Sequence, residues 1–417
     1  MALKYLYVPS GYKSGTAYGV LPNDSTADFD EFQRESTATR TNKDGLIELM
    51  GSNIPRIDYS DGGCPSLLLE IQRTNKCRAS ESINSWNKNP SSSAVTIREN
   101  DEISPDGKMT ADVVSVFTEF DGVLTPSMVT VINSTYSCSA YVKHVSGNPK
   151  IRFGISPNFH SGTGGKYVRF DLSDGSLILD GLAGVGEFKS VYVGNGWYRL
   201  MIENILVPSN AGGDSSFIVY SFEEAFTEFA VWGGQIEVGD YTSSYIPNLN
   251  TSVGSQTTKR GDAGKFAGNF EFNSNEGVLE VRFKAFPISS GDSSRITFGA
   301  TDQNRVMIGY TNSGQVVKPL LLIKSPLTDQ STSVSMPSSF NIFDYNTYQL
   351  KFQSGNNELK VNGELVNTGS SDTFKNLTFL FDEALRNISL NYYSTSTSQV
   401  FYGGIQHIKI YDSVTDF

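Results

Sequence analysis

The chain has 417 residues, enough for two or three domains of about 100–200 residues that each bury a core without staples. Only 18% of the residues are charged, against about 25% in an average globular protein, and Gly, Ser, Thr and Asn fill the gap. A net charge of -11 with no block of Lys and Arg argues against phosphate-driven nucleic-acid binding and against anionic membranes, so neither is an expected partner.

Residues 1–75 are crowded with turn signals: Pro9-Ser-Gly11, Leu21-Pro-Asn-Asp24 and Asp61-Gly-Gly63. The opening run Met1 to Val8 is interrupted by Lys4 and has no apolar signal-peptide core. Short apolar pieces, Leu46-Ile47 and Leu67-Leu-Leu69, lie between the turns. The segment is too broken to fold alone. It is expected to be an extended arm that completes its core against a partner chain or a later domain. Its last part runs from Asn53 through Pro55, Arg56, Gly62-Gly63, Cys64 and Pro65 to Glu70. The prolines and glycines set bends there, and the leucine triplet must find a core.

Residues 76–250 are expected to form a first sandwich. A polar stretch, Ser80 to Ser93, carries Trp86. Strand-like pieces follow at regular spacing, among them Val113-Val-Ser-Val-Phe117, Ser139-Ala-Tyr-Val-Lys143, Lys150-Ile-Arg-Phe-Gly154, Tyr167-Val-Arg-Phe-Asp171, Trp197-Tyr-Arg-Leu-Met-Ile202 and Phe217-Ile-Val-Tyr220. Residues 251–262 hold almost no hydrophobics and are read as a linker. Residues 263–417 read as a second sandwich. Apolar and charged residues alternate in Leu279-Glu-Val-Arg-Phe-Lys-Ala285, so one face is buried and the other wet. Asn362-Gly363 fits a type I′ turn, Ile405 to Tyr411 reads as a closing strand, and Asp382 to Arg386 is at best one helical turn. The expected fold is all-β: an extended N-terminal arm followed by two antiparallel β-sandwich (jelly-roll) domains.

Catalysis needs positioned acid–base groups. The three histidines, His144, His160 and His407, follow no metal or triad spacing, and His407 reads as a structural residue inside a strand. The acidic cluster Glu119-Phe-Asp121 lacks the third carboxylate a glycosidase strand of this type carries. Glu223 and Glu224 are adjacent, so in a strand they point to opposite faces. The chain is therefore expected not to be an enzyme, and no catalytic residue, metal or cofactor is expected. Cys64, Cys77 and Cys138 are odd in number and lack metal spacing; buried free thiols are expected, with a Cys64–Cys77 disulfide as the alternative.

Several motifs carry a resemblance. Val8-Pro-Ser-Gly-Tyr-Lys-Ser-Gly15, Tyr18-Gly-Val-Leu-Pro22, Thr37-Ala-Thr-Arg40, Asp44-Gly-Leu-Ile-Glu48 and the Asn53–Glu70 run resemble a segment of tailed-bacteriophage virion appendage proteins, the tail fibres and head fibres. Asp28-Phe-Asp-Glu-Phe-Gln-Arg34 departs from that pattern, which has a shorter aromatic-then-Arg strand. Tyr136 to Lys143, Gly196-Trp-Tyr-Arg199, Trp232-Gly-Gly-Gln-Ile-Glu237 and Tyr241 to Pro247 resemble jelly-roll modules similar to carbohydrate-binding modules. Residues 263–417 look like a concanavalin-type, laminin-G-like sandwich. The resemblance implies a virion protein made in the host cytoplasm, often a homotrimer. It would be anchored to other virion proteins through residues 1–75, with lectin-like sandwiches displayed toward a host cell-surface glycan. A purely structural head or tail decoration is the alternative, and a polysaccharide depolymerase a further one.

Sugars offer an apolar C–H face to aromatic rings. Trp197 and Trp232 sit within strand motifs and read as core. Trp86, among Asn84, Ser85, Asn87, Lys88 and Asn89, is either a loop anchor packed on the body or an exposed platform. Tyr392 and Tyr393 are the other ligand-binding candidates. Asp171-Leu-Ser-Asp174-Gly175 reads as a hairpin turn rather than a calcium loop.

Overall fold

Period-two alternation punctuated by Gly and Asn turns builds the chain into antiparallel sheets, with one short parallel pairing between Ser293–Thr301 and Gln399–Val400. Among the described residues the single α-helix is Ser371–Asn376. The computed structural model describes residues 2–13, 16–21, 29–90, 94–267, 273, 275–288, 292–301, 304–313, 316–325, 330–335, 340–366, 371–377, 387–390 and 399–415. Asp382 to Arg386 lies outside the described residues.

The chain divides into two units. The first comprises Met1–Thr37, Met50–Ile71 and Arg260–Phe417. It is a sandwich of a nine-stranded and an eight-stranded sheet. The strand Glu276–Ala285 pairs with Asn346–Gln353 on one side and the closing strand Gly403–Tyr411 on the other, both antiparallel. The other edge of the closing strand takes two N-terminal strands in turn, Leu3–Lys13 and Ser66–Leu69. The Asn362-Gly363 turn joins Glu358–Val361 to Glu364–Leu365 with φ of 52° and 83°, the left-handed values a type I′ turn requires.

Leu67 and Leu69 are fully buried in this core beside Tyr5, Tyr7, Leu279, Phe283, Tyr348 and Ile408. Burying each leucine contributes about 1.5–3 kcal/mol. Beneath the same run lies a quartet of buried charges. The Asp262 carboxylate accepts from Arg34 Nη1 at 3.1 Å, from Arg56 Nη2, and from the Glu70 backbone N–H at 2.8 Å. Arg56 Nη1 also donates to Glu70 Oε2 at 2.8 Å. Arg34 donates further to the carbonyls of Ser36, Gly51 and Ile54, and so fixes the bend that begins the Asn53–Glu70 run.

Two expectations are corrected here. Residues 1–75 are not a separate arm: most of them supply strands to the first unit, while Ala38–Leu49 belongs to the second. The physical reason is the bare edge of the closing strand and the buried leucines, which the segment fills within its own chain. Residues 251–262 are not a free linker: Thr257–Lys259 pairs with Arg73–Asn75, and Asp262 is buried in the charge quartet. The scarcity of hydrophobics there reflects burial through charge and backbone pairing.

The second unit comprises Ala38–Leu49 and Gln72–Lys259. Two six-stranded sheets enclose its core. One runs, in spatial order, Thr96–Ile103, Met109–Val116, Thr227–Val238, Thr135–Gly147, Trp197–Leu206, Glu187–Gly194. The other runs Leu177–Asp180, Lys166–Asp171, Lys150–Ile155, Phe217–Ser221, Gly122–Leu124, Asn87–Asn89. The outer face of the first sheet carries a satellite cluster of Tyr141, Trp197, Trp232 and Tyr245, against which Ile47 packs. Trp197 and Trp232 are core, as expected.

All three cysteines are free. Cys77 and Cys138 are buried, and burial pushes both thiols up. Cys64 is exposed, which corrects the expectation of a buried thiol; the Gly62-Gly63 bend carries it outside the sheet.

Candidate functional site

Trp86 is not a platform. It is 4% exposed, its indole N–H donates to the Ala79 carbonyl at 3.0 Å, and its ring meets Phe217 edge-on at 5.3 Å. The polar neighbours that suggested an exposed loop belong to a 3-10 turn, Ile83–Ser85, and the edge strand Asn87–Asn89. Tyr392 and Tyr393 lie outside the described residues.

The aromatic surface lies elsewhere, on the outer face of the second unit's Phe217-bearing sheet. Alternation dictates it: Ile151, Phe153, Val168, Phe170, Phe217 and Val219 point into the core, so Arg152, Gly154, Tyr167, Arg169, Ile218 and Tyr220 point out. Register aligns these into a row across the strands. Leu179, Arg169, Arg152, Tyr220, Gly122 and Asn89 are successive cross-strand partners. The next row holds Tyr167, Gly154, Ile218, Leu124 and Asn87. Gly154 lets its neighbour close in over that row: a Cβ there would collide with the Lys166 carbonyl and with Tyr167.

Over this face folds the turn Thr118–Asp121. Asp121 N donates to the Thr118 carbonyl at 3.1 Å, the Asp121 carboxylate accepts from Thr118 N at 3.2 Å, and Ser221 Oγ donates to the Thr118 carbonyl. Asn89 Nδ2 donates to the Phe120 carbonyl at 2.9 Å. The turn holds Phe120 at φ +66°, a left-handed conformation that is a genuine outlier for a bulky residue. Such backbone costs about 1–3 kcal/mol and persists where surroundings over-determine it.

The Phe120 ring lies over the Arg152 guanidinium, 3.8 Å from its Cζ, and meets Tyr167 edge-on at 6.1 Å. Tyr167 and Phe222 flank the same guanidinium at 5.2 and 5.0 Å. Arg152 itself is fully buried; it donates to the Ser221 carbonyl at 2.7 Å and to Glu119. Arg169, on the neighbouring strand, stacks on Phe222 at 4.6 Å. Phe120 remains 41% exposed, and Tyr167 and Phe222 are half-buried. The face is thus a fixed aromatic ledge with an arginine clamp beneath it, and its Tyr167 and Tyr220 hydroxyls make no hydrogen bond to the described residues. Burial raises the Tyr220 phenol.

The carboxylates that drew attention in the sequence are engaged. Glu119 pairs with Arg152, and Asp121 closes its own turn. Glu223 accepts from Lys150 at 3.0 Å and Asn148 at 2.9 Å, which hold it below the usual carboxylate range. Asp171 accepts from Ser173, and Gly175 at φ +78° returns the chain into the next strand, so this segment is a hairpin turn. Among the described residues no three His, Cys, Asp or Glu side chains are grouped to hold a metal ion, and no helix is long and apolar enough to cross a membrane.

The strands that carry Arg152 and Arg169 were legible in the sequence, but that the two arginines face each other across one sheet emerges only from the register. The position of Phe120 had no sequence signal: Glu119-Phe-Asp121 read only as an acidic cluster. No protein-family model matches the chain, and no curated protein matches it.

Proposed function

We propose that the chain is a structural appendage of a phage particle that works by adhesion. Its sugar-contacting surface is the outer sheet face around Phe120, Tyr167 and Phe222. The observation that carries the adhesive reading is Phe120, a large apolar ring kept 41% exposed in a strained conformation by a hydrogen-bonded turn. One face of the ring covers the Arg152 guanidinium, and the part left exposed is the kind of surface on which a sugar's C–H face stacks. The motifs of residues 7–75 support the virion part of the reading. Single contacts of this kind are weak, and copies on one particle multiply them; linked sites raise avidity by about 10²–10⁴ without any new contact.

A second reading, a decoration that packs against other copies and has no ligand, is favoured by a different feature. Every residue of the edge strand Leu177–Asp180 is exposed, including three consecutive large aliphatics. An open apolar edge of this kind templates pairing with another chain. A trimer belongs to either reading.

The test is a glycan array probed with the purified chain on a multivalent carrier, alongside Phe120→Ala. Binding that the variant loses supports adhesion through this face. Absence of binding by the multivalent native chain removes the adhesive reading and leaves the decoration. Release of reducing ends from a bound polysaccharide makes the chain a depolymerase instead.

A further inference from the structure

We propose that the glycan taken by this face is acidic, its carboxylate or phosphate held by Arg169; the inference rests on the adhesive reading above. Arg152 and Arg169 are direct cross-strand partners on one face, an arrangement in which like charges repel. Arg152 is neutralised by Glu119 and shielded by three rings. Arg169 has no such relief. Among the described residues its guanidinium makes no hydrogen bond or ion pair, its Nε is buried without a partner, and its one contact of note is the face of Phe222.

Of the neighbouring anions, Glu119 pairs with Arg152 and Glu223 with Lys150, while Asp171 and Asp180 accept from the neutral donors Ser173 and Leu182 N and make no hydrogen bond or ion pair with Arg169. A chain with net charge -11 therefore keeps a guanidinium without a direct ion pair beside its exposed aromatic ledge. A neutral sugar leaves that guanidinium without an ion-pair partner. An anionic sugar supplies one through a charge-assisted, bidentate contact, which is about twice as strong as a neutral hydrogen bond. The Tyr167 hydroxyl, two residues along the same strand and face, adds a donor for the same group. The shared chemistry is an oxyanion on a polysaccharide, either a uronic-acid carboxylate or a polyol phosphate.

The experiment measures binding of the full chain to immobilised polygalacturonate, poly(glycerol phosphate) and dextran, for the native protein, Arg169→Gln, Arg169→Lys and Phe120→Ala. The expected result is binding to one or both anionic polymers that weakens as salt rises, with dextran at least tenfold weaker. Arg169→Gln loses at least tenfold on the anionic polymer, and Arg169→Lys retains most of it. Preference for polygalacturonate identifies a carboxylate, and preference for poly(glycerol phosphate) a phosphate. Dextran binding as tight as either polymer, abolished by Phe120→Ala, overturns the acidic-ligand proposal while the adhesive reading stands. Anionic binding that survives Arg169→Gln also overturns it, by placing the contact on another basic surface. Should Arg169→Gln not fold, a salt-independent native affinity is the result that refutes it. No binding to any of the three polymers overturns the acidic-ligand proposal, and the glycan array then decides the adhesive reading.

Discussion

Asp262→Asn keeps the volume of the side chain and removes its charge from the first unit's buried quartet. The four groups balance: Arg34 and Arg56 against Asp262 and Glu70, with both guanidinium side chains and the Asp262 carboxylate wholly shielded from solvent. After substitution two arginines face one carboxylate. The amide can accept from one guanidinium only by turning its NH₂ toward the other or toward the Glu70 N–H. Breaking a buried charge network by removing one partner costs about 3–5 kcal/mol, because an uncompensated charge stays buried. For a unit of this size each kcal/mol moves Tm by about 2–4 °C, so the expected drop is about 6–20 °C. The assay is urea and thermal denaturation followed by far-UV circular dichroism. Hydrogen exchange at Ser66–Leu69 and Gly403–Tyr411, the strands beside the quartet, locates the change. A loss below about 1 kcal/mol, or unchanged protection of those strands, would refute the claim that this quartet fastens the N-terminal segment to its sandwich.

Four further outcomes are expected. Trp86→Ala destabilises the second unit by about 3–5 kcal/mol, as for a buried aromatic; unchanged stability with lost glycan capture would make it a platform after all. Phe120→Gly releases about 1–3 kcal/mol of backbone strain and forfeits about 0.5–2 kcal/mol of contact with Arg152, so the denaturation midpoint moves little while binding falls; a large destabilisation would show that the ring is structural. Burial disfavours ionised Glu280, but contacts from His407 at 2.8 Å and from Lys409 and Gln349 at 2.7 Å outweigh it and hold the carboxyl at about 2, below its ordinary 4.5. Because the folded value is depressed, this contribution is full above pH 4.5 and is lost as pH falls from there toward 2. A Glu280→Gln variant should therefore show a shallower acid-unfolding slope in that window, and an identical slope would contradict the assignment. Thiol titration of the native chain should modify Cys64 rapidly and Cys77 and Cys138 only on denaturation; more than one fast thiol would show that the second core opens.

How much of this was legible in the sequence depends on the kind of signal. Local periodicity was enough for strands such as Glu276–Ala285 and Gly403–Tyr411 and for the Asn362-Gly363 turn, because alternation and positive φ act within a few residues. Leu67-Leu-Leu69 was recognisable as needing a core, but not which one: Arg56–Asp58 pairs with it locally, while the strand that joins it to the sandwich lies more than 300 residues away. The charge quartet was invisible for the same reason: Arg34, the Arg56–Glu70 run and Asp262 come from three separate pieces of chain, and Asp262 lies about 200 residues from the others. Trp86 stayed open between anchor and platform because its sequence neighbours are polar; its spatial neighbours, the Phe217 ring and the Ala79 carbonyl, make it the anchor. The aromatic ledge needed a backbone angle at Phe120 that no residue type announces.

The central claim is that the face around Phe120 and Arg152 meets the ligand. Hydroxyl-radical footprinting of the full chain, with and without a saturating host-surface polysaccharide, tests it most directly. The account predicts protection concentrated at Phe120, Tyr167 and Phe222, with Tyr192 and Leu177 unchanged. Protection confined to other surfaces, or none at saturation, would contradict it.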